Sequence, residues 1–112
     1  MFLADDDKLL INYLSIELNN AGHTVIAVAT SFKEALELIQ NLTDVDVGLV
    51  DGNLSWFSTG GKEGKQIAAA FREKFPGKPL FSTSVVEQPW SDDPNLTTRN
   101  GYDRLVKRVT EA

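Results

Sequence analysis

The chain has 112 residues, of which 42% are hydrophobic, and this size predicts one domain over residues 1–112 with a single core. The absence of cysteine excludes disulfide bonds and thiolate metal sites and favours a reducing, cytoplasmic location. Its 11 basic and 16 acidic residues give a net charge of −5, which argues against direct nucleic-acid binding by this domain. The apolar stretches are too short for a membrane span, so we expect no membrane partner.

The first part of the chain reads as a strand followed by a helix. The apolar run at residues 2–4 predicts a short buried strand, and Asp7 is placed to cap the helix that follows. The apolar stripe of this helix consists of Leu10, Ile11, Leu14 and Leu18. Gly22 suits the left-handed conformation that often ends a helix, so we expect the helix to stop there.

The same order of strand and helix repeats in the middle of the chain. Residues 24–29 predict a second strand, and Ser31 and Glu34 have the spacing of a capping box. The helix behind this box has apolar residues at i, i+3, i+4 and i+7, namely Phe32, Ala35, Leu36 and Ile39. Residues 45–51 then predict a third, mostly buried strand that ends in Asp51.

A third repeat follows a loop rich in Ser, Thr and Gly at residues 53–64. The next helix places Ile67, Phe71 and Phe75 on one face and stops at Pro76, and residues 80–86 predict a fourth strand. Alternation of strands and helices with short connections is typical of a doubly wound α/β fold. We therefore predict a parallel sheet of four to five strands with helices on both faces.

The C-terminal quarter is atypical and allows two interpretations. Residues 88–100 are polar and contain two prolines. Residues 102–106 form a fifth strand if the repeating architecture continues. On periodicity alone a helix is slightly better supported, with one face made by Tyr102, Leu105, Val106 and Val109.

Acidic residues stand at the ends of two predicted strands. Asp5, Asp6 and Asp7 follow the first strand, and Asp51 ends the third. In an open parallel sheet the carboxyl edge is where ligands bind, and neighbouring strands would crowd these like charges together. Carboxylates without cysteine are ligands that suit Mg²⁺. The pattern therefore predicts a magnesium site at this edge. The alternative is that the acids only cap a helix and lie in solvent at the strand ends.

These residues resemble the receiver domains of two-component response regulators, which have a flavodoxin-like fold. The resemblance covers residues 1–86: the acidic pair Asp5 and Asp6 follows the first strand, and Asp51 lies 45 positions after Asp6. Three further matches are Leu54 behind the acid, the helix spacing of Gly64, Ile67, Phe71 and Arg72, and a fourth strand that enters at Pro79 and places Ser84 near its end.

The resemblance implies a phosphoacceptor rather than a classical enzyme. Asp51 would accept a phosphoryl group from a sensor histidine kinase or a phosphotransfer protein, and the chain would signal to a downstream effector through protein contacts. The resemblance also implies roles for other residues: Asp5, Asp6, Asp51 and the backbone carbonyl of Asn53 would bind Mg²⁺, while Ser84 and Lys107 would contact the phosphoryl group.

Several features depart from the family and leave alternatives open. The loop after Asp51 is longer than usual, Val85 follows Ser84 where a small residue is typical, and Lys107 precedes Arg108 instead of proline. With Val85 there, Thr83 is the alternative hydroxyl and Ser84 the small residue. A degenerate pseudo-receiver that acts as an unphosphorylated interaction module is the second hypothesis. A magnesium-dependent phosphohydrolase is a weaker third, because the sequence shows no general acid.

Overall fold

The computed structural model describes residues 1–25, 27–52, 62–84, 88–92 and 101–111, with side chains from Leu105 onward in the last of these segments. Strands and helices alternate through this part of the chain. In order they are β1 (Phe2–Ala4), α1 (Lys8–Asn20), β2 (Ala27–Ala29), α2 (Phe32–Asn41), β3 (Gly48–Val50), α3 (Lys62–Lys74), β4 (Leu80–Ser82) and α4 (Gly101–Glu111). In the described residues no helix combines the length and the apolar character needed to cross a bilayer.

The strands form one parallel sheet in the order β2-β1-β3-β4. This confirms the predicted α/β class, and it matches the first four positions of the flavodoxin-like order 2-1-3-4-5. The order is incomplete, since the described residues contain no fifth strand. The chain passes from β1 to β2 on one side and then crosses back over β1 to β3 on the other, so the topological switch point lies between β1 and β3. Ligands bind at such a point in open α/β sheets.

Alternate residues of the strands face two separate cores, one on each side of the sheet. Phe2, Val50 and Leu80 pack in the core that α2 and α3 cover. The other core lies under α1 and α4, and its buried members from the strands and these helices are Leu3, Leu49, Phe81, Leu14, Leu18, Leu105 and Val109. The prediction of helices on both faces is therefore confirmed.

Local capping explains where the helices begin and end. Asp7 accepts hydrogen bonds from the N–H groups of Leu9 and Leu10, both at 3.1 Å, and so caps α1. Ser31 accepts from the N–H of Glu34 at 3.2 Å at the start of α2. After α1, Gly22 has a φ of 92°, which a side chain would disfavour. These three sequence predictions are confirmed.

The C-terminal segment is a helix, so the alternative of a strand at residues 102–106 is wrong. Leu105 and Val109 are buried four positions apart beside α1, as helical periodicity requires. The strands themselves are shorter than predicted. For example, the predicted strand at residues 45–51 is reduced to β3, although Val45 and Val47 beside it are buried.

The outer edge of β4 is covered by residues 88–92, which we call the edge strap. The N–H of Asp92 donates to the carbonyl of Leu80 at 2.8 Å, and the N–H of Leu80 donates to Asp92 Oδ2 at 2.8 Å. The N–H of Ser82 donates to Ser91 Oγ at 3.0 Å. The strap thus satisfies both backbone groups of Leu80 and the N–H of Ser82, through which another strand would pair with β4.

Arg72 of α3 holds the strap from the side. Its Nη2 donates to the carbonyl of Trp90 at 2.7 Å and to Asp92 Oδ1 at 2.8 Å. The Asp92 carboxylate therefore joins a helix to the N–H of Leu80. Because the Arg72 and Asp92 side chains are 39% and 37% exposed, the ion pair itself is weak, and the bond to Leu80 carries more of the stability.

We expect Asp92→Ala to lower the free energy of unfolding by about 1–2 kcal/mol, because the N–H of Leu80 loses its acceptor. Asp92→Asn keeps one carbonyl acceptor and should lose less. Urea unfolding of the three proteins measures both effects. Equal midpoints for Asp92→Ala and the unchanged chain would show that the strap does not stabilise the edge.

Candidate functional site

The candidate site lies where the side chains on one face of the sheet change from apolar to polar. Three residues in register on neighbouring strands are buried and apolar: Leu3, Leu49 and Phe81. Two positions later the same strands continue with Asp5, Asp51 and Thr83. Because side chains on one face of a strand recur every second residue, these three polar groups stand over the apolar row at the carboxyl edge.

Ladder hydrogen bonds continue past the strand ends and fix the backbone of these residues. The N–H of Asp5 donates to the carbonyl of Ala29 at 3.0 Å, and the N–H of Asp51 donates to the carbonyl of Ala4 at 2.8 Å. The N–H of Thr83 donates to a carbonyl of β3 at 3.1 Å. The polar row is therefore held by the sheet and not by a loose loop.

Three carboxylates converge at this edge. Asp5, Asp6 and Asp51 each offer an oxygen, and these oxygens lie within 4.8 Å of one another. Asp5 is only 2% exposed, Asp51 is half-buried and Asp6 is exposed. They border a cleft of about 220 Å³ whose described lining consists of Asp5, Asp6, Asp7, Leu10, Asp51, Thr83 and Ser84. The predicted meeting of acids from two strand ends is thus present.

Asp5 is the most constrained of these acids. Thr83 Oγ1 donates to Asp5 Oδ2 at 2.8 Å, and the N–H of Asp7 donates to Asp5 Oδ1 at 2.9 Å. Burial raises the pKa of Asp5, and the neighbouring charges of Asp6 and Asp7 raise it further, while the two hydrogen bonds oppose the rise. The ionised form of Asp5 is therefore costly without a compensating positive charge.

The donor set fits a hard divalent cation such as Mg²⁺. It consists of carboxylate oxygens from two strand ends, and one side remains open to solvent, where water could complete the coordination. A cation would also offset the repulsion between the buried Asp5 and its neighbours. Asp5, Asp6 and Asp51 are the residues that would hold it. The predicted ligand Asn53 lies outside the described residues.

The structure brings Ser84 to the site but not Lys107. Ser84 is half-buried on the lining of the cleft, and its N–H donates to Ser82 Oγ at 2.9 Å. Lys107 lies on the exposed face of α4, and it is absent from the described lining. Its predicted role assumed that this segment forms a fifth strand. The segment forms α4 instead, so the prediction for Lys107 loses its structural basis.

Gly64 lies against the backbone of the site, and the sequence did not reveal why a glycine is needed at this position. A Cβ at Gly64 would lie 2.5 Å from the carbonyl oxygen of Asp51 and 2.6 Å from the Cα of Gly52. The N–H of Gly64 donates to the carbonyl of Gly52 at 2.9 Å. The start of α3 therefore rests directly on the backbone that carries Asp51, and any side chain at Gly64 would displace it.

We expect Asp5→Asn to raise the free energy of unfolding at pH 7 without divalent cations, by about 0.5–2 kcal/mol. The asparagine removes a buried charge, and its amide can still accept from Asp7 and donate to Thr83. Because the folded-state pKa of Asp5 is raised, the native state binds protons more readily than the unfolded state. The unchanged chain should therefore gain stability as the pH falls from 7 through that pKa.

Urea unfolding of both proteins at several pH values measures this difference. The advantage of Asp5→Asn should shrink as the pH falls, since protonation removes the same charge in the unchanged chain. Asp46→Asn provides the control, because Asp46 is an exposed acid next to the start of β3, away from the cleft. A variant less stable than the unchanged chain at pH 7 would contradict the electrostatic explanation.

Comparisons with known proteins identify no similar family, protein or structure: no protein-family model, curated protein or solved structure matches the chain. The fold is α/β with a four-stranded parallel sheet, compatible with a flavodoxin-like fold, and its acids meet at the switch point of that sheet.

Proposed function

We propose that this chain is a receiver domain that accepts a phosphoryl group on Asp51 with the help of Mg²⁺ and signals through protein contacts. The observation that carries the proposal is the cluster of Asp5, Asp6 and Asp51 at the switch point between β1 and β3. A half-buried acid beside two further acids, with hydroxyls on the next strand, is the arrangement that the resemblance to receivers implies.

The proposed chemistry is nucleophilic substitution at phosphorus. A carboxylate oxygen of Asp51 attacks the phosphorus of a phosphohistidine on a sensor kinase or phosphotransfer protein. The new O–P bond forms an acyl phosphate as the N–P bond breaks. The electron pair of that bond remains on the imidazole nitrogen, which takes a proton from solvent. The backbone bond from Asp51 to Ala4 keeps the attacking carboxylate at the cleft.

The neighbouring residues have separate tasks in this scheme. Asp5 and Asp6, together with Asp51, hold Mg²⁺, which supplies positive charge to the phosphoryl oxygens when bound. Ser84 lines the cleft one residue beyond Thr83, and its hydroxyl donates to a phosphoryl oxygen. Closure of Ser84 on the phosphoryl group would shift the population of the segment after β4, and an effector protein would bind the altered surface.

We expect the purified chain to gain one phosphoryl group when it is incubated with Mg²⁺ and acetyl phosphate. Acetate is the leaving group in this reaction, so no kinase is needed. Intact-protein mass measures the gain, which should disappear with a chelator and in Asp51→Asn. Asp46→Asn makes the same chemical change away from the cleft and should be phosphorylated like the unchanged chain. A folded chain that gains no phosphoryl group would contradict the proposal.

A partner that delivers the phosphoryl group must contact the surface around the cleft, and α1 offers an apolar stripe there. Leu9, Tyr13 and Ile16 are 83%, 43% and 53% exposed. They stand at i, i+4 and i+7 and so share one face of the helix. Leu9 directly precedes Leu10, which lines the cleft. We assign this stripe to the contact with the kinase or phosphotransfer protein, because exposed apolar stripes mark protein interfaces.

We expect Leu9→Glu and Ile16→Glu to slow phosphorylation by a protein donor at least tenfold while leaving phosphorylation by acetyl phosphate unchanged, since a charge opposes burial only in the protein complex. The measurement uses a sensor kinase that phosphorylates the unchanged chain. Val28→Glu introduces the same charge at an exposed position of β2 and serves as the control. Equal slowing with both donors would show that the substitutions damage the site instead of docking.

The second candidate function is an unphosphorylated interaction module, and one observation favours it. None of the described residues that line the cleft carries a positive charge, and Lys107 lies on the exposed face of α4. Under this hypothesis the chain keeps the fold and the apolar stripe but Asp51 accepts no phosphoryl group. The acetyl phosphate experiment separates the two functions.

A further inference from the structure

Thr83 is a buried hydroxyl that the proposed phosphoacceptor chemistry does not use. It is 1% exposed and stands in the same polar row as Asp5 and Asp51, on the strand next to β3. Ser84, one residue later, is half-buried on the lining of the cleft and can serve the phosphoryl group. Instead, the Thr83 hydroxyl donates to Asp5 Oδ2 at 2.8 Å. This bond passes over β3 and joins the end of β4 to the end of β1.

Two donors fix the orientation of the Asp5 carboxylate. Thr83 holds one oxygen, and the N–H of Asp7 holds the other at 2.9 Å. Each carboxylate oxygen has two lone pairs, so each retains one for a cation or for its water. Without the Thr83 bond, only the N–H of Asp7 would hold the Asp5 carboxylate, and repulsion from the two neighbouring acids would favour its rotation away from them.

We propose that Thr83 is a positioning residue for the divalent cation: its hydroxyl holds Asp5 in the orientation in which Asp5, Asp6 and Asp51 share one ion. The inference rests on the proposed function and adds a division of labour between two adjacent hydroxyls. Thr83 acts on the cation through Asp5, whereas Ser84 acts on the phosphoryl group. Hydrogen bonds behind metal ligands commonly set metal affinity in this way.

The test compares Mg²⁺ binding by the unchanged chain, Thr83→Val and Thr83→Ser. Valine keeps the shape and removes the hydroxyl, and serine restores it. Isothermal titration with MgCl₂ should show a dissociation constant roughly tenfold higher for Thr83→Val, in the range usual for lost partners of metal ligands. For Thr83→Ser it should stay within about threefold of the unchanged chain, because the hydroxyl is retained. Thr110→Val makes the same change of atoms on an exposed part of α4 and should leave the dissociation constant unchanged.

A second readout separates positioning from a merely structural role. For Thr83→Val, the Mg²⁺ concentration that half-saturates phosphorylation by acetyl phosphate should rise by the same factor. The extent reached at saturating Mg²⁺ should stay close to that of the unchanged chain. If Thr83 only supports the fold, thermal unfolding without metal will shift while the Mg²⁺ dissociation constant does not, and the inference fails.

The outcomes also distinguish this inference from the function on which it rests. If the unchanged chain binds no Mg²⁺, the proposed cation site is overturned and the role of Thr83 with it. If the unchanged chain and Thr83→Val bind Mg²⁺ equally, only the role of Thr83 is overturned. If serine fails to restore the affinity that valine loses, the effect does not come from the hydroxyl, and the inference is again overturned.

Discussion

The parallel pairing of β1 with β3 forces the carboxylates of Asp5 and Asp51 to the same edge of the sheet. Leu3 and Leu49 are fully buried directly below them, and Phe2 and Val50 fill the core on the opposite face, so a slip of one residue would disrupt the packing of both cores. Packing energy therefore fixes an arrangement that electrostatics opposes. Relief comes from the hydroxyl of Thr83, from the N–H of Asp7 and, under the proposed function, from a divalent cation.

The way the sheet ends bears on the same site. The edge strap satisfies the outer edge of β4 through Asp92 and Ser91, so the described sheet stops at four strands. The strap also reaches the site, because a Cβ at Gly52 would lie 2.7 Å from Gln88 Nε2. Gly52 directly follows Asp51. The backbone at Asp51 and Gly52 is therefore closely packed between two elements. Gly64 of α3 contacts it on one side, and Gln88 of the edge strap contacts it on another.

The features that could be predicted from the sequence are those that depend on local or periodic patterns of residues. The cap at Asp7 and the capping-box spacing of Ser31 follow from local spacing, and the meeting of acids follows if the two strands are neighbours in a parallel sheet. The structure contains all three. The sequence did not predict the edge strap, because a carboxylate that binds the N–H of Leu80 from twelve positions away leaves no periodic signal. For the C-terminal segment, helical periodicity was the better guide than the repeating architecture, since Leu105 and Val109, four positions apart, are both buried on one face of α4.

The choice between Thr83 and Ser84 could not be made from sequence for a related reason. Both hydroxyls stand at the end of the same strand, and only the pleat of the sheet separates them. Register with β3 places Thr83 in the row of Asp51, where it is buried and bonded to Asp5. A hydroxyl is neutral and compensates no charge. With no positive charge in the described lining of the cleft, an acyl phosphate at Asp51 would, under the proposed function, depend on the bound cation for compensation, and the orientation of Asp5 would then affect the phosphorylated state.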